Sequence, residues 1–257
     1  MKKILAVICA SFLSISLANA EVTIGISGNA GLLSADAQET ITGVTGGDVV
    51  WGASTAAARA AGTATAATKT KESDDVAIGY VSLFGEVGVF DTGLRIGVSY
   101  VPYALESETT ENVRNDNCGV RDPALGVDHS ALCQKTTNKV GVDLEDLIST
   151  YIAYHHDLDV PFISSVFIKA GLIEADVITR DILSSGSQYG NTQLKGEFFG
   201  LGVEKDLVDQ GLFVRLEGNV TQFDSIQLKN SNSDNTNTID ITGLDGATAT
   251  ISIGKTF

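Results

Sequence analysis

The chain has 257 residues, 43% of them hydrophobic, and a formal net charge of −15 from 17 basic and 32 acidic residues. So acidic a surface repels nucleic acid, which argues against a nucleic-acid partner. The chain also offers no basic amphipathic helix that would lie on an anionic membrane.

The first twenty residues read as a secretory signal peptide. Lys2 and Lys3 form a basic start, Ile4 to Leu17 an apolar core, and Leu17-Ala18-Asn19-Ala20 a small-residue cleavage pattern before Glu21. The apolar core is too short to span a bilayer as a helix. Cleavage is therefore expected between Ala20 and Glu21, leaving residues 21–257 as one domain. Cys9 lies inside the apolar core with Ile8 before it, where a lipid-modified cysteine needs a small residue, and is expected to leave with the signal. Losing Lys2 and Lys3 takes the 17 basic residues to 15 against 32 acidic ones, a net charge of −17. Cys118 and Cys133 remain in a chain sent to an oxidising compartment, where one disulfide is the default. Such a bond closes a sixteen-residue ring, stabilising by roughly 3 kcal/mol in the chain-entropy view.

No segment after the signal is long and apolar enough for a membrane helix. Eight segments instead place apolar residues at every second position, the period of a strand. The first, Val22 to Leu32, sets Val22, Ile24, Ile26, Ala30 and Leu32 against Thr23, Gly25, Ser27, Asn29 and Gly31. In the second, Ala77 to Phe90, Val81, Leu83, Val87 and Val89 oppose Tyr80, Ser82, Phe84 and Glu86. The third alternates Leu94, Ile96, Val98 and Tyr100 with Arg95, Gly97 and Ser99. The fourth, Val140 to Tyr154, alternates Leu144, Ile148, Ile152 and Tyr154 with Glu145, Ser149, Tyr151 and Ala153. The fifth sets Val166, Ile168, Ala170 and Leu172 against Ser165, Phe167, Lys169 and Gly171. The sixth, Leu194 to Glu204, sets Phe199, Leu201 and Val203 against Phe198, Gly200, Gly202 and Glu204. The seventh sets Leu212, Val214, Leu216 and Val220 against Phe213, Arg215, Glu217 and Asn219. The eighth, Ala247 to Phe257, sets Ala249, Ile251 and Ile253 against Thr248, Thr250, Ser252 and Gly254.

A soluble β-sandwich also alternates, with its apolar face inward. Two features of the residues favour a membrane barrel. Connections alternate between short and long: tight turns at Asp91-Thr92-Gly93, His155 to Phe162 and Asp206 to Gly211, and long polar stretches at Ser34 to Asp75, Glu106 to Lys139, Thr179 to Asn191 and Gln227 to Gly246. The polar face carries charges of both signs, Glu86, Arg95, Lys169, Glu204, Arg215 and Glu217, which suit a small lumen where they pair across strands. The hairpin register puts Glu86 and Arg95 diagonally on one face.

The chain ends Thr250-Ile-Ser-Ile-Gly-Lys-Thr-Phe257, with Ile251 and Ile253 alternating before a terminal aromatic. Here it resembles the small outer-membrane β-barrel families, the OmpA/OmpX-like and Opa-like eight-stranded proteins. That resemblance implies that Ile251, Ile253 and Phe257 form a signal read by the barrel-assembly machinery. Lys255 departs from the usual pattern, where that position is apolar or aromatic. The expected fold is an all-β, eight-stranded antiparallel up-and-down transmembrane barrel with four long external loops. It is expected in the outer membrane of a Gram-negative-type cell, among outer-membrane lipids.

No catalytic, metal or cofactor signature stands out. His129 lies beside Asp128 and Ser130, but neighbours in sequence rarely converge into a triad. His155 and His156 are expected in a turn or interfacial role near the fourth segment's end. The acidic stretches lack an Asp-x-Asp-x-Asp-Gly calcium loop. Phe90, Tyr103, Tyr151, Tyr154, Phe162, Phe199 and Phe257 are expected in aromatic girdles at the membrane interfaces. The expected role is structural or surface-interacting and non-enzymatic, with an unknown external ligand meeting the loops. A narrow or porin-like pore is the alternative. A lipid-modifying enzyme is the second, because the resembling families include lipid A deacylases and acyltransferases.

Overall fold

The computed structural model describes residues 21–42, 68–89, 92–107, 110–116, 121–122, 127–128, 134–182, 188–208, 211–231 and 236–257. Eight strands make its wall: β1 Val22–Thr42, β2 Thr68–Gly88, β3 Leu94–Tyr100, β4 Gln134–Val160, β5 Ile163–Ile182, β6 Thr192–Val208, β7 Leu212–Phe223 and β8 Thr236–Thr256. Each pairs antiparallel with its neighbour in this order, and β8 returns to β1 from Thr23↔Thr256 to Thr42↔Thr236. The ring is closed. The last residue completes it, since the Phe257 amide donates to the Val22 carbonyl at 2.9 Å. Short segments prolong the wall outward: Leu105–Glu106 and Thr110–Asp116 run along β4, and Ile226–Lys229 runs along β8.

Sequence alternation fixes which side chains face out. Ile24, Ile26, Leu32, Val81, Leu83, Ile96, Ile152, Ile168, Leu172, Leu201, Leu216, Val220, Ile251 and Ile253 are 42–61% exposed on the outer surface. The inward residues of the same strand stretches include the buried Thr23, Ser27, Ser82, Glu86, Glu204, Arg215, Glu217, Thr250 and Ser252. An apolar exterior around a polar interior suits hydrocarbon as the solvent, and a closed barrel leaves few backbone groups unpaired there. From Ile24 to Leu32 a strand tilted by about 40° rises roughly 20 Å, close to the ~25 Å apolar band of such barrels.

The short connections gather at the end that holds Glu21 and Phe257. The turn between β4 and β5 is tighter than the sequence suggests. β4 continues through the expected connection to Val160, with Asp157↔Ser165 and Val160↔Ile163 paired, so only Pro161 and Phe162 turn. Gly93 and Gly211 both have a φ of 74° at the other two turns. A Cβ at either would lie 2.3 Å from a carbonyl oxygen, of His155 and Thr256 respectively. Each glycine carbonyl in turn accepts the amide of that same residue at 2.8 Å.

At the opposite end the strands run past the expected boundaries. The stretches expected as long loops from Ser34, Glu106, Thr179 and Gln227 are in part strand. β1 continues to Thr42, β4 begins at Gln134, β5 continues to Ile182 and β8 begins at Thr236. About 10 residues span a bilayer in a tilted strand, so the remainder of each long strand stands outside it. There the pattern inverts. Val101, Leu147, Ile173, Ala175, Val177, Leu194 and Leu244 form a buried apolar cluster inside, joined by Leu33, Ala35, Leu105, Val142 and Leu144. A bulge on β4 assists: Asp146 has a φ of 51° and the register with β5 shifts between Glu145 and Ile148. The shift lets Leu144 and Leu147, which differ in parity, both reach that cluster.

Candidate functional site

The half of the lumen nearest Glu21 and Phe257 is filled by a charged plug. Five of the eight wall strands supply it: Glu86 from β2, Arg95 from β3, Lys169 from β5, Glu204 from β6, and Arg215 with Glu217 from β7. Arg215 sits at its centre, 2% exposed. Its two terminal nitrogens grip Glu86 at 2.7 and 3.0 Å, and its Nε and one terminal nitrogen donate to Glu204 at 3.0 and 2.8 Å. Arg95 lies 3.6 Å from Glu86 and 3.8 Å from Glu204. It also approaches the exposed Glu21 carboxylate at 3.9 Å. Lys169 pairs with Glu217 at 2.5 Å. Three cations thus meet three anions, so the plug is neutral and the chain's excess negative charge lies elsewhere. The Glu86–Arg95 diagonal follows from the register, with Gly88↔Arg95 and Glu86↔Gly97 paired.

Aromatic rings jacket these charges. Phe84, Phe167 and Phe213 have their ring centres 5.4, 4.9 and 5.1 Å from the Arg215 guanidinium carbon. Lys169 lies 4.5 Å from the Tyr151 ring centre. Each ring occupies the space a neighbouring strand leaves by having no side chain. Phe84 faces Gly25, Tyr151 faces Gly97, Phe167 faces Gly202 and Phe213 faces Gly254, all as direct cross-strand partners. A Cβ at any of these four glycines would lie 2.4 Å from the ring.

Two sequence expectations are corrected here. Tyr151 is not an interfacial aromatic: it is 4% exposed inside the lumen, and its hydroxyl donates to Glu86 at 2.9 Å. His155 is not a turn residue: it is 5% exposed and stacks on Phe167 at 4.9 Å, while His156 is exposed. Both follow from parity, since 151, 153 and 155 continue the inward face of β4. Tyr103, Tyr154, Phe162, Phe199 and Phe257 do stand exposed. Phe90, His129, Cys118, Cys133 and Ala20 lie outside the described residues.

Small polar groups line the joint between the first and last strands. Thr23 meets Thr256 at 3.0 Å and Ser27 meets Ser252 at 2.8 Å. Thr250 donates to Asn29 at 2.8 Å. Next to them a cavity of about 60 Å³ lies among Asn29, Ser82, Ser149, Lys169 and Thr250. It accommodates a few waters and no larger solute. Ile251 and Ile253 face outward, and the Lys255 ammonium lies 4.7 Å from the Phe257 ring centre. That contact gives the unusual Lys255 a place beside the terminal aromatic. Among the described residues no group of three or more potential ligands is placed to hold a metal.

The aromatic jacket went unread in the sequence, although a signal was present. Phe84, Tyr151, Phe167 and Phe213 fall on the polar face of their segments, opposite segments whose polar faces are rich in glycine.

No family model and no curated protein matches the chain. Among solved structures it is similar to the outer membrane protein OprG from Pseudomonas aeruginosa, at 10% identity over 93% of this chain and 96% of that one, TM-score 0.41. It is similar to the outer membrane protease OmpT from Escherichia coli at 11% identity, over 92% and 97% of the two chains, TM-score 0.37. It is also similar to Ail, the attachment invasion locus protein of Yersinia pestis, at 8% identity, over 90% and 99%, TM-score 0.32. Likenesses this distant say nothing about activity. The closed ring, the apolar outer band and the buried polar lumen together have the architecture of a small membrane-spanning β-barrel.

Proposed function

We propose that the chain is a non-conducting, non-enzymatic barrel that holds a rigid β-platform above the membrane for an external ligand. The supporting observation is the neutral plug, in which Arg215 bridges Glu86 and Glu204 across the lumen. A buried network in which each charge faces an opposite one is costly to open, because each released charge would lose its counter-charge in a poorly hydrated site. The apolar cluster around Leu147, Val177 and Leu194 supports the other half of the reading, since it stiffens the wall outside the bilayer. Function then falls to the connections beyond that platform.

Conductance across planar bilayers containing the refolded mature chain tests this. The bilayer is expected to stay silent at moderate voltage. Steady, reproducible channel steps would overturn the proposal and favour the porin-like alternative. The enzymatic alternative needs His129, which lies outside the described residues, or the His155–His156 pair beside a serine and a carboxylate at a lipid-accessible rim. His155 instead lies against Phe167 inside the lumen. Altered lipid A on deletion of the gene would favour that alternative.

A further inference from the structure

Among the described residues the wall has a seam that is not fully paired at bilayer depth. Odd-numbered residues of β2 turn their backbone groups toward β3: Val87, Gly85 and Leu83 face Ile96, Val98 and Tyr100. The same alternation shows in the Val89 amide, which donates to Leu94 at 2.7 Å. The next partner, opposite Val81, would be Pro102. A proline has no N–H to give, and the ladder stops there. The Val81 amide donates instead to the Tyr103 hydroxyl at 2.6 Å. Beyond it, at Gly79 and Ala77, no described strand pairs with this side of β2.

These two residues are not above the membrane. They pair on their other side with Ala30 and Leu32, within the apolar band, while the next outward row is Asp75, Ser34 and Asp245. Backbone groups left unpaired in hydrocarbon are costly, so this edge calls for a hydrogen-bonding cover. A groove of about 590 Å³ begins at the same place. It runs from Tyr103 across Gly79, Ala30 and Ala249 to Leu216 on the outer surface, within the size range of small-molecule sites.

We propose that this groove seats one outer-leaflet lipid of the amide-linked, hydroxyacylated class. Its acyl chain lies across Gly79, Ala30 and Ala249. Its amide and hydroxyl meet the open backbone of Gly79 and Ala77 and the Tyr103 hydroxyl. A strand edge offers donors and acceptors in alternation, which an amide or hydroxyl can match and an ester, an acceptor only, cannot. The Tyr103 oxygen accepts from Val81, so its own proton remains to be donated to a lipid carbonyl. The row of Asp75, Ser34 and Asp245 marks where chains give way to headgroups, at the depth where such amides lie. The proposal goes beyond the platform reading and is indifferent to whether the lumen conducts.

Refolding into vesicles of phosphatidylethanolamine with lipid A, then native mass spectrometry from mild detergent, tests it. The wild-type chain is expected to keep one lipid A, at least fivefold over phosphatidylethanolamine. Gly79→Leu and Ala249→Phe fill the groove from its outer side and are expected to lose that lipid. Ala170→Phe adds the same bulk to the outer face of β5 and is expected to keep it. Tyr103→Phe is expected to lower retention about threefold. The heat-dependent gel shift of each variant verifies that it has folded. A folded wild-type chain with no bound lipid, no preference for lipid A, or equal retention in the groove-filled variants would overturn the proposal.

Discussion

Between Gly171 and Ile173, β5 passes from one solvent rule to the opposite one. Below that point Ile168, Ala170 and Leu172 face outward while Phe167 and Lys169 face the lumen. Above it Glu174 faces outward at the same parity that carried leucine, and Ile173, Ala175 and Val177 are buried. The register with β6 runs unbroken through the change, from Thr192↔Val177 to Glu204↔Ser165. One continuous strand therefore builds two barrels. The lower half is polar inside because hydrocarbon surrounds it, and it coheres through ion pairs and hydrogen bonds. The upper half is apolar inside because water surrounds it, and it coheres as a soluble core does.

The contrast predicts how each half fails. Arg215→Met leaves Glu86 and Glu204 buried without their main partner, and should cost about 3–5 kcal/mol. Urea unfolding from lipid vesicles, followed by circular dichroism, measures this, and a loss below about 1 kcal/mol would mean water reaches the plug freely. Leu194→Ala removes a side chain that is 3% exposed in the upper cluster, and should cost about 2–5 kcal/mol locally. Its signature is faster tryptic cleavage near Arg180 and Lys195 with an unchanged heat-dependent gel shift. A matching loss in the gel shift would show that the halves unfold as one. Gly202→Ala should cost about 1–3 kcal/mol, because the Phe167 ring and the Leu216 carbonyl leave no room for a methyl. Pairing it with Phe167→Leu in a double-mutant cycle should recover part of that cost. Lys195→Ala breaks the 3.6 Å contact with Glu174, both half-exposed on the outer face, and should change stability by no more than about 0.5 kcal/mol.

The same contrast explains what the sequence revealed. The lower half was legible because its eight segments keep a single phase, with apolar residues outward, from Val22 to Leu32 and likewise around the ring. The sequence Asp91-Thr92-Gly93 signalled a tight hairpin, and the register Gly88↔Arg95 and Glu86↔Gly97 brings Arg95 toward Glu86. The upper half was hidden by its own inversion. Once Ser34 and Asp36 take outward positions that had been apolar, the alternation reads as a polar loop, although Leu33 and Ala35 go on alternating on the inside. The β4 bulge at Asp146 changes phase again, so Leu144 and Leu147 share no simple period. Tyr151 and His155 were misjudged for a different reason. An aromatic on a polar face is read by its type, whereas its partner glycine on the next strand decides where it fits.

The plug has a mechanical consequence for the ring. At the depth of the plug, β1 and β8, the first and last strands, carry no inward charge among their described residues; they meet through Thr23, Ser27, Asn29 and their hydroxyl partners. The Glu86–Arg215 contact joins β2 to β7, the strands immediately outside that pair. It therefore spans the joint like a clasp across two overlapping edges. Parting β1 from β8 would require breaking the clasp as well as the backbone ladder. The joint between the first and last strands is thereby held twice, by its own ladder and by the salt bridge that crosses it.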